Sequence, residues 1–137
     1  MAFIEGGCSC GDVRYAAHSD PVRVAVCFCR ACRQSTGLAG VLEPLFERAS
    51  FRVTFGRPTR FTRSEPDSTN SIAVSFCPTC GTKLFLEYGE ADGMIGVFAE
   101  TLDEAHWLED AHCEAEYLFL DAPRAVAAAD HKVWPAR

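Results

Sequence analysis

The sequence lacks the patterns of a long helix and of a membrane segment. Apart from the alanine-rich residues 124–129, no window of about 10 to 15 residues shows helical periodicity, and no apolar run approaches the length of a membrane span. The N-terminus has neither a basic leader nor an apolar run of signal-peptide length. We therefore expect a cytoplasmic protein that has no membrane partner.

An excess of basic residues is also lacking, since the net charge is -6 over 137 residues. Residues 46–57 interleave arginine with phenylalanine, as some nucleic-acid surfaces do. The alternation in this segment favours a strand instead, with Phe51, Val53 and Phe55 toward the core and Arg52 outside. Because an acidic chain lacks the usual electrostatic footprint, we expect no nucleic acid as a partner.

The cysteine clusters contain no histidine, whereas cysteine itself is abundant. Seven of the eight cysteines fall into three tight clusters, and the eighth, Cys113, is expected to be a small buried apolar residue. In a reducing compartment such clusters are more often metal ligands than disulfides. The four histidines lie outside the clusters, and we interpret them as surface or packing residues: His18, His106, His112 and His131.

Residues 76–83 have the composition and spacing of a zinc knuckle. Pro78 favours a tight turn between Cys77 and Cys80, and Gly81 permits a positive φ. Such a loop directs backbone N–H groups at two sulfurs and supplies two of the four ligands that structural zinc requires. The remaining ligands must come from an earlier cluster, either Cys8 and Cys10 or the group Cys27, Cys29 and Cys32.

Short alternating segments between glycine and proline turns indicate an all-β fold. We predict a single zinc-binding domain over residues 1–137, stapled by metal, with a loop or helical turn at 34–37. Strands are predicted at residues 12–18, 22–26, 40–46, 51–55, 59–62, 71–76, 83–88, 94–99 and 112–120. The knuckle then lies at the tip of a hairpin, and exposed strand edges would allow a homodimer.

The seven clustered thiols can be divided between two zinc ions. Residues 27–32 supply three sulfurs from one short segment and would leave one corner of a tetrahedron vacant, as a catalytic site requires. The pairs Cys8/Cys10 and Cys77/Cys80 would then form a closed structural site. Spacing leaves two alternatives open: one closed site completed by the second cluster, with spare thiols, or an iron–sulfur cluster.

A vacant corner beside three thiolates favours a soft sulfur ligand. The negative charge of the thiolates makes the metal a poor source of hydroxide, whereas a thiol would compete well and be deprotonated on binding. A thiolate is a competent nucleophile toward a small carbonyl, so the expected substrates are a thiol and a small carbonyl compound. Arg30 and Arg33 would offset the site charge or hold a substrate carboxylate, unless they only cover a strand end.

Three blocks, in this order, resemble the glutathione-dependent formaldehyde-activating enzyme family. They are GGCSCGDVRY at 6–15, CFCRACR at 27–33 and FCPTCGTKL at 76–84, and residues 101–103 are similar to the family's Leu-Asp segment. The resemblance implies a β-tent fold of packed antiparallel sheets. It also implies two zinc ions per chain, a structural zinc at Cys8, Cys10, Cys77 and Cys80 and a catalytic zinc at Cys27, Cys29 and Cys32.

The family's named reaction is the condensation of glutathione with formaldehyde to S-hydroxymethylglutathione, classed as a carbon–sulfur lyase activity. The resemblance implies that a thiol such as glutathione adds to formaldehyde or a related aldehyde at the three-cysteine zinc. Phe28 stands where the family commonly has histidine, so a lost proton transfer would slow the reaction or change the substrate. The alternative is a non-catalytic zinc-binding interaction or redox-responsive module on the same fold, as the member centromere protein V suggests.

Overall fold

Ten short strands and one seven-residue helix form nearly all the regular structure that the computed structural model describes. The described residues are 3–28, 30–64, 71–88, 93–105 and 113–117. The strands are β1 (Ile4–Gly7), β2 (Arg14–Ala17), β3 (Arg23–Cys27), β4 (Val41–Glu47), β5 (Phe51–Phe55), β6 (Thr59–Ser64), β7 (Ser71–Phe76), β8 (Lys83–Tyr88), β9 (Met94–Val97) and β10 (Cys113–Tyr117). Helix α1 spans Arg30–Thr36, and short 3-10 turns span Arg48–Ser50 and Ala99–Thr101. Within these ranges no helix has the length and apolar character needed to span a membrane.

The strands form two sheets. The smaller has the order β1-β2-β5, and the larger has the order β10-β3-β4-β9-β8-β7-β6. Neighbouring strands are antiparallel, except that β10 runs parallel to β3. The prediction of an all-β fold with packed antiparallel sheets is therefore confirmed.

A buried apolar cluster joins the two sheets. Tyr15 from β2 and Phe46, Leu84 and Val97 from the larger sheet belong to it, and each is at most 1% exposed. Across the interface the Phe51 ring packs edge-on against Phe85, with ring centroids 4.8 Å apart. Val13, Tyr15 and Ala17, which alternate along the predicted strand 12–18, all lie in this cluster.

A second apolar cluster packs α1 onto the larger sheet. It contains Cys32 from α1 and Cys27, Val41, Val74 and Leu86 from four strands of that sheet, with Phe98. Each apolar cluster therefore includes cysteines from the sequence clusters, since Cys8 and Cys77 lie in the first one. Candidate metal ligands are therefore part of the buried core.

The prediction that Phe55 faces the core is wrong, because its side chain is 63% exposed. The register of β5 against β2 shifts between Arg14, which pairs with Phe55, and Tyr15, which pairs with Val53. This bulge inserts Thr54 as an extra residue and breaks the two-residue alternation. Phe51 and Val53 lie before the bulge and are half-buried against the core.

Residues 101–103 fasten the loop after β9 to the smaller sheet. Leu102 forms an isolated antiparallel bridge with Gly6, and the Asp103 carboxylate accepts two hydrogen bonds from the Arg14 guanidinium. A Cβ at Gly6 would collide with the Tyr15 hydroxyl and the Thr101 carbonyl oxygen, so the close approach requires glycine. The segment that resembles the family's Leu-Asp motif thus holds β1, and the cysteines that follow it, against the rest of the domain.

Candidate metal centres

The predicted knuckle forms the turn between β7 and β8. The Cys77 N–H donates to the Thr82 carbonyl (3.0 Å), and the Gly81 N–H donates to the Cys77 carbonyl (2.9 Å). Gly81 has φ +80°, the left-handed conformation that glycine tolerates without strain. The hairpin predicted around this loop is confirmed, since β7 and β8 pair antiparallel.

The loop between β1 and β2 repeats this geometry at the first cysteine pair. The Cys8 N–H donates to the Val13 carbonyl (3.0 Å), and the Gly11 N–H, at φ +85°, donates to the Cys8 carbonyl (3.2 Å). The Ser9 N–H donates to Thr82 Oγ1 in the knuckle at 3.2 Å. Two similar loops from different sheets therefore meet face to face.

The sulfurs of Cys8, Cys10, Cys77 and Cys80 all lie within 4.8 Å of one another. The Cys8–Cys10 distance is 3.6 Å and the Cys10–Cys77 distance is 3.7 Å. Four sulfurs at about 2.3 Å from zinc would form a tetrahedron with edges of about 3.8 Å, whereas a disulfide needs about 2.05 Å. The four thiols therefore fit a metal ion such as zinc and are not oxidised to disulfides.

Backbone N–H groups point at the buried sulfurs of the cluster. Val13 N–H donates to Cys8 Sγ (3.2 Å), and Thr79 and Cys80 N–H groups donate to Cys77 Sγ (3.3 and 3.5 Å). Such donors stabilise thiolates, the form that binds metal. The loops thus prepare the sulfurs for a cation.

The thiol pKa values in this cluster move in opposite directions. Burial raises the pKa of Cys8, but hydrogen bonds with the Val13 N–H and with the Cys10 and Cys77 sulfurs outweigh it and lower the pKa overall. Hydrogen bonds with Thr82 lower the pKa of Cys80 to about 5. The Asp12 backbone favours the Cys10 thiolate, yet desolvation and the three other sulfurs raise its pKa to about 12. Thiolates at the neighbouring sulfurs thus disfavour ionisation of the Cys10 thiol. A divalent cation bound among the four sulfurs would relieve that repulsion.

A second cysteine pair lies at the junction of β3 and α1. Cys27 is 2% exposed and Cys32 is fully buried, and their sulfurs are 3.3 Å apart, too far for a disulfide. Cys29, the third predicted ligand, lies outside the described residues. The structure thus brings together two members of the predicted trio beneath α1.

Contacts made by Phe28 hold the segment between these cysteines in place. Arg33 Nε donates to the Phe28 carbonyl oxygen at 2.9 Å, which spans the turn from strand to helix. Phe28 is 3% exposed, and a Cβ at Gly40 would lie only 2.6 Å from its ring. Phe28 therefore has a packing role at this position.

Glu43 is a buried carboxylate that the sequence reasoning missed. It is 0% exposed and pairs with Ala25, while Cys27 pairs with Val41, so Glu43 and Cys27 face the same side of the sheet. Diagonal neighbours of this kind lie about 7–8 Å apart, with their Cβ atoms somewhat closer. Gly96 leaves room for the carboxylate, because a Cβ there would lie 2.8 Å from Glu43 Oε1. The sequence feature that could have indicated this buried carboxylate is an acidic residue inside the apolar run 41–46.

The remaining candidates lie elsewhere. The His18 ring stacks near Phe3, with centroids 5.2 Å apart, which agrees with a packing role. The backbone of Cys113 starts β10 beside β3, opposite Val24. The other three histidines lie outside the described residues: His106, His112 and His131.

Comparisons with known proteins gave a family match and a similar crystal structure. A family model described as glutathione-dependent formaldehyde-activating enzyme matches residues 3–119. No curated protein matches the sequence. A crystal structure of a protein from Rhodobacter sphaeroides is similar, with a TM-score of 0.61 and 18% identity over 83% of this chain and 99% of that one. At that identity the likeness shows a shared fold alone.

Proposed function

Because the chain belongs to the glutathione-dependent formaldehyde-activating enzyme family, we propose that it adds a small thiol, such as glutathione, to formaldehyde or a related small aldehyde. The activity is that of a zinc-dependent carbon–sulfur lyase similar to S-hydroxymethylglutathione synthase. The cytoplasm, which keeps thiols reduced, is its proposed location.

We assign the catalytic zinc to Cys27, Cys29 and Cys32, with the fourth position open to the thiol. The observation that carries this assignment is the pair of reduced, buried sulfurs of Cys27 and Cys32, 3.3 Å apart at the end of β3. Zinc, when bound there, would favour the thiolate form of a sulfur ligand. Arg33 acts as a positioning residue, because its bond to the Phe28 carbonyl fixes the turn that carries the ligands.

The proposed reaction is an addition that needs only the thiol and the aldehyde. A carbon–sulfur bond forms between the thiol sulfur and the aldehyde carbon, and the carbon–oxygen π bond breaks. The thiol proton ends on the aldehyde oxygen, which gives the S-hydroxymethyl product. Phe28 cannot transfer that proton, so water or another polar group near the site must do so.

We assign the structural zinc to Cys8, Cys10, Cys77 and Cys80. The four sulfurs fit tetrahedral coordination, and the two loops already supply their N–H donors. Two zinc ions per chain are therefore proposed, one closed and one open to a ligand.

The test is a kinetic and metal-binding comparison of the zinc-loaded wild type with Cys32→Ser. We expect formation of the S-hydroxymethyl product above the spontaneous rate in the wild type, and its loss in the variant with one zinc retained. If several thiols and aldehydes give no rate above the spontaneous one, the chain is instead the non-catalytic zinc-binding module.

A further inference from the structure

A pocket of about 250 Å³ lies where α1 approaches the β6–β8 end of the larger sheet. Its lining residues are Gln34, Ser35, Phe61, Val74, Phe76 and Lys83. Pockets for drug-sized ligands usually span about 300–1,000 Å³, so this one suits a very small molecule or one end of a larger one.

Val74 links the pocket to the Cys27–Cys32 pair. Val74, which lines the pocket, also packs in the apolar cluster that contains both cysteines. Ser35 follows Cys32 by three positions in α1, and residues at that spacing lie on the same side of a helix. Cys27 and Cys32 are at most 2% exposed, and an opening on this side of their cluster would give a ligand access to the sulfurs.

The lining has the chemistry of a carboxylate site. Lys83 is the charged residue among those that line it, and Gln34 and Ser35 add neutral hydrogen-bond donors. Lys83 Nζ lies 5.5 Å from the Phe76 ring centroid, within range of a cation–π contact, and 3.4 Å from the Gly81 carbonyl oxygen. These contacts hold the ammonium group at the pocket without neutralising it.

Among the residues that the structure describes, the acidic side chain of β8 is paired with arginines and not with Lys83. Glu87, the acidic residue of β8, lies 3.4 Å from Arg60 and 3.6 Å from Arg48. Arg33, near the same cysteines, donates to the Phe28 carbonyl. Lys83 is thus the better placed of the two cations to receive an anionic group in the pocket.

We propose that this pocket binds the carboxylate of the substrate thiol through Lys83, so that thiols bearing an acid group a few bonds from sulfur are the preferred substrates. The proposal rests on the function proposed above and deepens it. Phe61 and Val74 contact the carbon chain, while the thiol end extends toward Cys27 and Cys32.

The kinetic test uses mercaptoacetate and mercaptoacetamide, which differ in charge but hardly in size, with formaldehyde and the zinc-loaded full chain. We expect Lys83→Gln to lower the acid-to-amide ratio of kcat/KM about tenfold, the usual effect of losing one charge-assisted hydrogen bond. Arg52→Gln removes the same charge from an exposed position on the other sheet and should leave that ratio as in the wild type. Equal ratios in the wild type and Lys83→Gln, or the same drop in Arg52→Gln, would overturn the proposal.

A binding measurement separates this proposal from the catalytic one. Methylthioacetate, meaning the S-methyl ether of mercaptoacetate (CH3–S–CH2–COO⁻), carries the acid group but no thiol. Calorimetry should show that Lys83→Gln weakens its binding about tenfold. Lys83→Arg, which keeps the cation, should retain binding and covers the case in which the glutamine variant fails to fold. If the wild type binds no methylthioacetate, the pocket assignment fails even when catalysis is present. If it binds methylthioacetate but gives no product with any thiol, the pocket assignment stands and the proposed function fails.

Discussion

The sulfur of Cys10 lies 3.7 Å from the sulfur of Cys77, although 67 positions separate them in the sequence. Cys10 follows a strand of the smaller sheet, and Cys77 follows a strand of the larger one. An ion bound between these sulfurs would join the two sheets at one edge of their shared core. Because small β-domains bury limited apolar surface, such a link is an effective way to stabilise the fold.

Replacing one ligand of each proposed centre should separate stability from activity. Cys77 is 0% exposed and Cys27 is 2% exposed, so serine at either position perturbs packing to a similar extent. We expect Cys77→Ser to lower the free energy of unfolding by about 5 kcal/mol or more, because structural zinc sites contribute on that scale. Cys27→Ser should cost much less stability and abolish thiol addition. Urea unfolding with metal analysis of each variant measures the difference, and equal losses of stability would contradict the assignment of a structural and a catalytic ion.

The cysteine spacing predicted the knuckle and its hairpin because both depend on local turn chemistry. Pro78 and Gly81 favour the turn by themselves, whatever the rest of the chain does. The exposure of Phe55 could not be predicted, since it depends on a bulge in the pairing of β5 with β2. The buried position of Glu43 likewise depends on Gly96, which lies in a neighbouring strand that is distant in the sequence. Register and side-chain room across a sheet are tertiary properties that alternation alone does not encode.

Tyr15 should make the domain sensitive to alkaline pH. Burial raises the pKa of its hydroxyl well above the usual value of about 10. Thr101 Oγ1 donates to the Phe98 carbonyl (2.7 Å), so the Tyr15 hydroxyl is the donor in its 2.6 Å bond to Thr101. Since the folded pKa is the higher one, stability from this group is complete below pH 10 and declines as pH rises further, by about 1.4 kcal/mol per unit.

Tyr15→Phe removes that titration and gives the matched comparison. At pH 7 it should cost about 1 kcal/mol for the lost hydrogen bond. The difference should shrink above about pH 10 and vanish near pH 11, because only the wild type then loses stability from this side chain. Urea unfolding of the zinc-loaded proteins from pH 7 to 11, without added free zinc, tests it, with Tyr88 and Tyr117 common to both proteins. A constant difference over this range would show that Tyr15 ionises equally well in the folded domain.

The two phenylalanines at positions 28 and 55 should respond very differently to truncation. Phe28 is 3% exposed and its ring packs against Gly40, whereas Phe55 is 63% exposed beyond the bulge. We expect Phe28→Ala to lower the free energy of unfolding by about 3–5 kcal/mol through the cavity it leaves. Phe55→Ala, which deletes the same atoms, should cost about 1 kcal/mol or less. Urea unfolding of both variants decides the matter. Equal effects would mean that Phe28 does not anchor the Cys27–Cys32 segment, and the assignment of a packing role at this position would be wrong.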